Sequence, residues 1–156
     1  MKKIFFALVL SIFTLQNAYG LITVDITRGN LDPLPIAVSP LHVDSKSEKI
    51  PSFETSTLGE EISKIVEKNF KSTGLFNPLK KDSFVQKPDI AHLKPRFEDW
   101  RLIKAQALVT GKLLIIDKKL KVEFRLWDLT AAKEMIALSF TTTPNNWRRV
   151  AHIISD

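Results

Sequence analysis

The sequence contains no cysteine and few glycines. The absence of cysteine among 156 residues excludes disulfides, thiol nucleophiles, cysteine-ligated zinc and lipid anchors attached through a thiol. The five glycines are scattered, and none belongs to a phosphate-cradling cluster. The three histidines fall on different predicted elements without ligand spacing, and no serine lies in a nucleophile elbow. We therefore predict no catalytic residue, no metal site and no cofactor.

The length and composition indicate one globular domain. A chain of 156 residues fits a single domain, and 44% hydrophobic with 26% charged residues is typical of a folded protein. The net charge of +6 comes from basic residues that are scattered along the chain. A scattered excess of basic residues is typical of a solvated surface, so a nucleic-acid partner is not expected.

The first 20 residues have the order of a secretory signal peptide. Lys2 and Lys3 precede a twelve-residue apolar run, residues 4–15, and the small residues Ala18 and Gly20 follow it. A membrane-spanning helix needs about 20 apolar residues, so the run is too short for an anchor. We expect cleavage between Gly20 and Leu21 and export to the periplasm. The mature chain then has 136 residues and a net charge of +4.

The segment that follows the predicted cleavage site alternates apolar and polar residues, as a half-buried strand does. A strand at a free N-terminus can be donated to the sheet of a partner. The alternatives are an edge strand of the domain's own sheet or a clasp on a neighbouring domain. The predicted partner-binding residues are Leu21, Ile22, Thr23, Val24, Asp25, Ile26 and Thr27.

The rest of the chain predicts a mixture of strands and helices. A proline-bracketed run at residues 34–39 indicates a short strand, residues 41–56 and 80–95 indicate loops, and residues 75–79 a short extended piece. The first secure helix starts at a capping box, Thr57 to Glu60, and ends before Gly74. A brief helix is expected around Trp100.

Three strand patterns and a helix complete the order. The strands are predicted at residues 107–116, 119–128 and 134–143, and an amphipathic helix opens near Trp147. Trp127 is either an interface residue or packed beneath a helix, and Glu98 with Asp99 is expected on a solvated face. The order β-β-α-β-(α)-β-β-β-α predicts an α/β fold in which a mixed β-sheet packs with helices.

Several segments, taken in order, resemble the family of TolB N-terminal domains of the Tol–Pal envelope system. The resemblance includes the signal peptide, the strand at Leu21–Thr27 and Trp100. The other matching segments are Leu34–Leu41, Ser72–Leu79, Thr110–Lys112, Val122–Asp128 and Trp147–Asp156. The chain departs from the family pattern at Leu41, where the motif has phenylalanine. The similarity extends over essentially all of residues 21–156, and the ordered set is more specific than any one motif.

The resemblance implies a non-enzymatic periplasmic interaction module that acts in envelope integrity, cell division and protein import. It also implies a fold similar to the anticodon-binding domain of some tRNA synthetases. In the family, the mature N-terminal segment binds the inner-membrane-anchored TolA, which corresponds to Leu21 to Thr27 here. The lipoprotein Pal docks on a β-propeller that this sequence lacks, so Pal binding is not expected. Contact with a membrane would be indirect only.

The domain is expected to occupy residues 21–156 and to be truncated within its last helix, because Asp156 follows an amphipathic stripe without a cap. Two alternatives to a working interaction module stay open. One is a truncated fragment with no retained activity. The other is an exported domain that binds a small ligand in a cleft between sheet and helix.

Overall fold

The computed structural model describes residues 32–50 and 54–156. The predicted signal peptide, residues 1–20, and the predicted strand Leu21–Thr27 lie outside the described residues. In the described part, the strands are β1 (Leu34–Val38), β2 (His42–Val43), β3 (Phe76–Pro78), β4 (Ala107–Ile116), β5 (Lys119–Asp128) and β6 (Lys133–Thr142). The helices are α1 (Leu58–Thr73), α2 (Pro88–Ala91), α3 (Phe97–Leu102) and α4 (Trp147–Ser155).

The strands form one mixed sheet in the order β3-β1-β4-β5-β6, with β2 also beside β4. Strand β1 runs parallel to both β3 and β4, whereas β4, β5 and β6 form an antiparallel meander. The β4–β5 hairpin turns through Asp117 and Lys118, whose φ angles of 50° and 56° are those of a type I′ turn. The predicted α/β class with a mixed sheet is confirmed.

Helix α1 forms because apolar residues recur on one of its faces, where Leu58, Ile62, Val66 and Phe70 are buried. It ends at Gly74, whose φ of 72° fits the predicted left-handed cap. The predicted capping box is wrong. The Thr57 hydroxyl donates to the Glu54 carbonyl at 3.0 Å, because a 3₁₀ turn over Thr55–Thr57 runs directly into α1.

Two apolar clusters cover the two faces of the sheet. The larger cluster joins the sheet to α1 and α4, which contribute buried residues such as Ile62, Val66 and Val150. The second cluster lies on the opposite face beneath α2 and α3, and its largest members are Trp100 and Trp127. Trp127 is therefore packed beneath a helical layer, which was one of its two predicted environments.

The loop predictions miss two short elements. Residues 41–56 include β2, which pairs with Lys112 and Leu113 of β4, and residues 80–95 include α2, with Pro88 in its first turn. A two-residue strand has no hydrophobic period to detect, and a four-residue helix has barely one turn. The strand predicted at residues 134–143 is found one residue earlier.

Candidate protein-interaction site

The predicted partner-binding residues, Leu21, Ile22, Thr23, Val24, Asp25, Ile26 and Thr27, lie outside the described residues. The described chain nearest to them in sequence is the start of β1. Leu34, the first residue of β1, lines a groove with a volume of about 550 Å³. This groove is therefore the described feature closest along the chain to the predicted segment.

The groove lies on the face of the sheet that carries α1 and α4. Its floor comes from the sheet and its walls from the ends of the two helices, since side chains of β1, β5 and β6 meet Phe70 and Ile154 there. The apolar lining residues are Leu34, Ile36, Phe70, Phe76, Ala107, Leu126, Met135, Ile136 and Ile154. An apolar cleft of this size can take apolar side chains or a small apolar molecule.

The polar residues of the groove do not form a reactive set. Asp128 is a turn residue, because its Oδ1 accepts a hydrogen bond from the Ala131 backbone N–H at 2.8 Å. The remaining polar lining residues are Gln106, Thr130, Ser155 and Asp156. Ser155 Oγ donates its proton to the backbone carbonyls of Ala151 and His152 in α4, so this hydroxyl is not arranged as a nucleophile. The groove is suited to binding by burial of apolar surface.

Two of the three histidines meet in the fold, which the sequence did not indicate because 50 positions separate them. The rings of His42 and His92 stack with centroids 4.5 Å apart and planes 5° apart. Burial lowers the pKa of His42, and the neighbouring His92 lowers it further. The third, His152, lies elsewhere and contacts Asn69 Nδ2 through its Nδ1 at 2.9 Å. No group of three potential ligands that could hold a metal ion occurs within residues 32–50 and 54–156.

The adjacent carboxylates Glu98 and Asp99 form separate ion pairs. Glu98 lies 2.7 Å from Arg101, and Asp99 lies 2.6 Å from Arg96, each one helical turn apart. The two acids do not face a common site, as their adjacency on α3 predicts.

A half-buried ion pair between α1 and the loop after β3 was not visible in the sequence. Lys81 Nζ lies 3.2 Å from a Glu67 carboxylate oxygen and donates to Ser63 Oγ at 2.8 Å. Burial raises the pKa of Glu67, and Lys81 opposes that rise. This pair fastens the loop after β3 to α1, and we assign it no chemical role.

None of the helices in the described part of the chain is both long enough and apolar enough to cross a bilayer.

The comparisons with known proteins agree on one family. The sequence profile of the TolB amino-terminal domain matches residues 22–135. The chain is 64% identical over 144 residues, 90% of its length, to the Tol-Pal system protein TolB of Pelagibacter ubique (strain HTCC1062). The match spans 32% of that relative, so the chain corresponds to about a third of it.

Solved structures with the same fold include two bacterial proteins of low sequence identity. TolB from Acinetobacter baumannii superposes with a TM-score of 0.62 at 18% identity, covering 80% of this chain and 27% of that one. The PelC dodecamer from Paraburkholderia phytofirmans superposes with a TM-score of 0.51 at 14% identity, covering 79% of this chain and 87% of that one. At these identities the likeness concerns the fold alone.

Proposed function

The chain belongs to the family of TolB amino-terminal domains, and we propose that it is a non-enzymatic protein-interaction module of the Tol–Pal system in the periplasm. The observation that carries the proposal is the 64% identity to a Tol-Pal system protein over 90% of this chain. The module would be exported through the signal peptide at residues 1–20 and would serve envelope integrity, cell division and protein import.

The proposed contact is with a TolA-like inner-membrane protein through Leu21 to Thr27. The alternation of Ile22, Val24 and Ile26 with polar residues is what a strand added to a partner sheet requires, since one face must become buried. The contact with the membrane would be indirect, through this partner.

Deleting Leu21 to Thr27 from the mature chain tests this proposal. We expect the deletion to abolish capture of the TolA C-terminal domain, measured by calorimetry with the purified proteins. Far-UV circular dichroism and urea unfolding of the same variant report whether the domain beyond residue 31 keeps its fold.

A matched pair of point variants tests whether the apolar face of this strand, and not merely the presence of the segment, is needed for capture. Val24→Asp places a charge on the apolar face and should weaken capture by tenfold or more, at a cost of about 1.4 kcal/mol. Thr23→Ser changes the polar face and should leave capture unchanged. Capture that survives both the deletion and Val24→Asp would show that this segment is not the TolA-binding site.

The apolar groove favours a second candidate, an exported domain that binds a small apolar ligand. Its lining by Leu34, Phe76 and Ile136 suits a molecule with an extended apolar body. A thermal-shift screen of fatty acids and aromatic compounds tests it, with Ile136→Asp as the variant that should remove any stabilisation. If no compound raises the melting temperature, the groove is not a ligand site.

A further inference from the structure

The outer edge of β6 is long and unprotected. Strand β6 pairs with β5 along one side, and no strand within residues 32–50 and 54–156 pairs with its other side. A bulge at Met135 interrupts the ladder near the start, and the register is regular from Ile136 to Thr142. This regular stretch contains no charged residue, no proline and no glycine. Natural sheet edges usually carry such features because they block pairing with another chain.

On the face that carries α1 and α4, β6 presents apolar side chains to solvent. Ile136 is 44% exposed and Leu138 is 50% exposed, although Ile136 lines the groove together with Ile154 of α4. Phe140, further along the same face, is half-buried and stacks on Phe124 with ring centroids 6.0 Å apart. A strand added beside β6 could continue this row, because opposite residues on neighbouring strands have Cβ atoms about 5 Å apart.

On the opposite face, β6 presents small residues beside the long charged side chains of β5. Ala137 lies opposite Arg125 and Ser139 opposite Glu123, and these four residues line a shallow depression of about 180 Å³. The small side chains of β6 leave open space beside Arg125, whose guanidinium donates to the His92 carbonyl at 3.0 Å.

This face has an excess of positive charge. Lys112 and Lys121 share one carboxylate, Glu123, at 3.5 and 2.8 Å, and Arg125 is paired with Glu134 at 3.0 Å. Three cations thus face two carboxylates. The hydrogen bond from Lys121 lowers the pKa of Glu123, as expected where a carboxylate lies among cations.

We propose that the outer edge of β6 binds an extended segment of another polypeptide, with apolar residues at alternate positions and acidic residues between them. The backbone of the segment pairs with the edge of β6, and its apolar residues extend the row of Ile136 and Leu138. Its carboxylates face the cations of β5. This surface is separate from Leu21–Thr27 and needs no part of that segment.

The charges favour such a partner over a second copy of this strand. An added β6 would present Ala137, Ser139 and Thr141 toward the cations, and these residues carry no negative charge. The three cations of each copy would then face only the two carboxylates of that copy, Glu123 and Glu134, so the junction would keep an excess of positive charge. An acidic partner removes this repulsion.

The probe is an acetylated and amidated ten-residue peptide that alternates valine with glutamate, added to the ¹⁵N-labelled full chain. We expect amide shifts confined to β6 and the adjoining part of β5. A peptide that alternates valine with lysine should bind about fivefold more weakly, because two lost ion pairs of about 0.5 kcal/mol each correspond to that factor.

Three variants assign the binding to the edge. Leu138→Lys should reduce binding of the glutamate peptide at least tenfold, since it places a charge in the apolar row. Ile116→Lys is the matched control, because Ile116 is 48% exposed at the far end of β4, and it should bind like the parent chain. Lys121→Gln should narrow the preference for glutamate over lysine in the peptide. Circular dichroism checks that all three variants keep the fold.

Several results would overturn the proposal. One is the absence of β6 shifts at millimolar peptide, and another is equal binding of the two peptides or full binding by Leu138→Lys. Concentration-dependent β6 shifts without peptide would assign the edge to a second copy. If Val24→Glu changed the amide shifts of β6 in the absence of peptide, the edge of β6 would be assigned to the chain's own N-terminal segment.

Discussion

The two edges of the sheet differ in every property that governs pairing. The β3 edge has three residues and ends in Pro78, which has no backbone N–H to donate, and Phe76 packs against Phe70 of α1 with ring centroids 4.8 Å apart. The β6 edge has ten residues, and its apolar side chains Ile136 and Leu138 are about half exposed. Within the described residues, the β6 edge therefore offers a partner strand more unpaired backbone than the β3 edge does.

The largest expected effect concerns a close approach between α1 and the chain that follows β1. A Cβ on Gly59 would overlap the backbone carbonyl of Leu41, whose N–H donates to the Gly59 carbonyl at 3.2 Å. We expect Gly59→Ala to lower the free energy of unfolding by about 2 kcal/mol, because overpacking against backbone outweighs the helix propensity gained. Urea unfolding measures the change.

The control for this substitution is a change on the exposed strand β6. Ala137→Val adds two methyl groups on exposed β6, where the free energy of unfolding should change by less than about 0.5 kcal/mol. If Ala137→Val destabilised the chain as much as Gly59→Ala, the two sides would be equally packed and the contrast between them would be wrong.

The second largest expected effect concerns Trp127, which packs on the face of the sheet beneath α2 and α3. Trp127 on β5 is the last large side chain beneath α2 and α3, and its Nε1 donates to the buried Thr110 hydroxyl at 2.9 Å. Trp127→Phe should cost about 1–2 kcal/mol, because it removes this bond and leaves the hydroxyl without its donor. Thermal and urea unfolding measure the loss.

A double-mutant cycle with Thr110→Val isolates the hydrogen bond. The double variant should lose less than the sum of the single changes, since neither partner is then left unpaired. Strict additivity would mean that this hydrogen bond between β5 and β4 adds no coupling energy to the fold.

Local patterns were enough to predict the central elements of this fold. The bounds of β4 and β5 agree with the prediction because β4 is an almost continuous apolar run, β5 alternates apolar and polar residues, and the two meet at a tight turn at Asp117. Helix α1 was predicted from its apolar stripe and Gly74. Its start at Leu58 also agrees with the prediction, but the capping hydrogen bonds do not form, because the spacing from Thr57 to Glu60 cannot reveal that a 3₁₀ turn continues into the helix.

The candidate surfaces needed the three-dimensional structure. The groove combines residues from β1, β5, β6 and both long helices, and no sequence pattern joins them. The row of Ile136, Leu138 and Phe140 was visible as one face of a strand, and such a face is normally buried. Only the position of β6 at the end of the sheet reveals that this face is exposed. The proposed TolA-binding residues Leu21 to Thr27 stay a sequence prediction.

The smallest expected effect tests whether proline or length closes the β3 edge. Pro78→Thr restores one backbone donor at the end of a three-residue strand whose register is Leu34–Phe76, Pro35–Asn77 and Ile36–Pro78. We expect a change in the free energy of unfolding below about 0.5 kcal/mol and no binding of the glutamate peptide at this edge, since three residues offer too few pairs. Amide shifts of residues 75–79 in a peptide titration report the outcome. If Pro78→Thr did create a binding edge, the proline would be the blocking element, and the difference between the two edges would depend on one residue instead of on strand length.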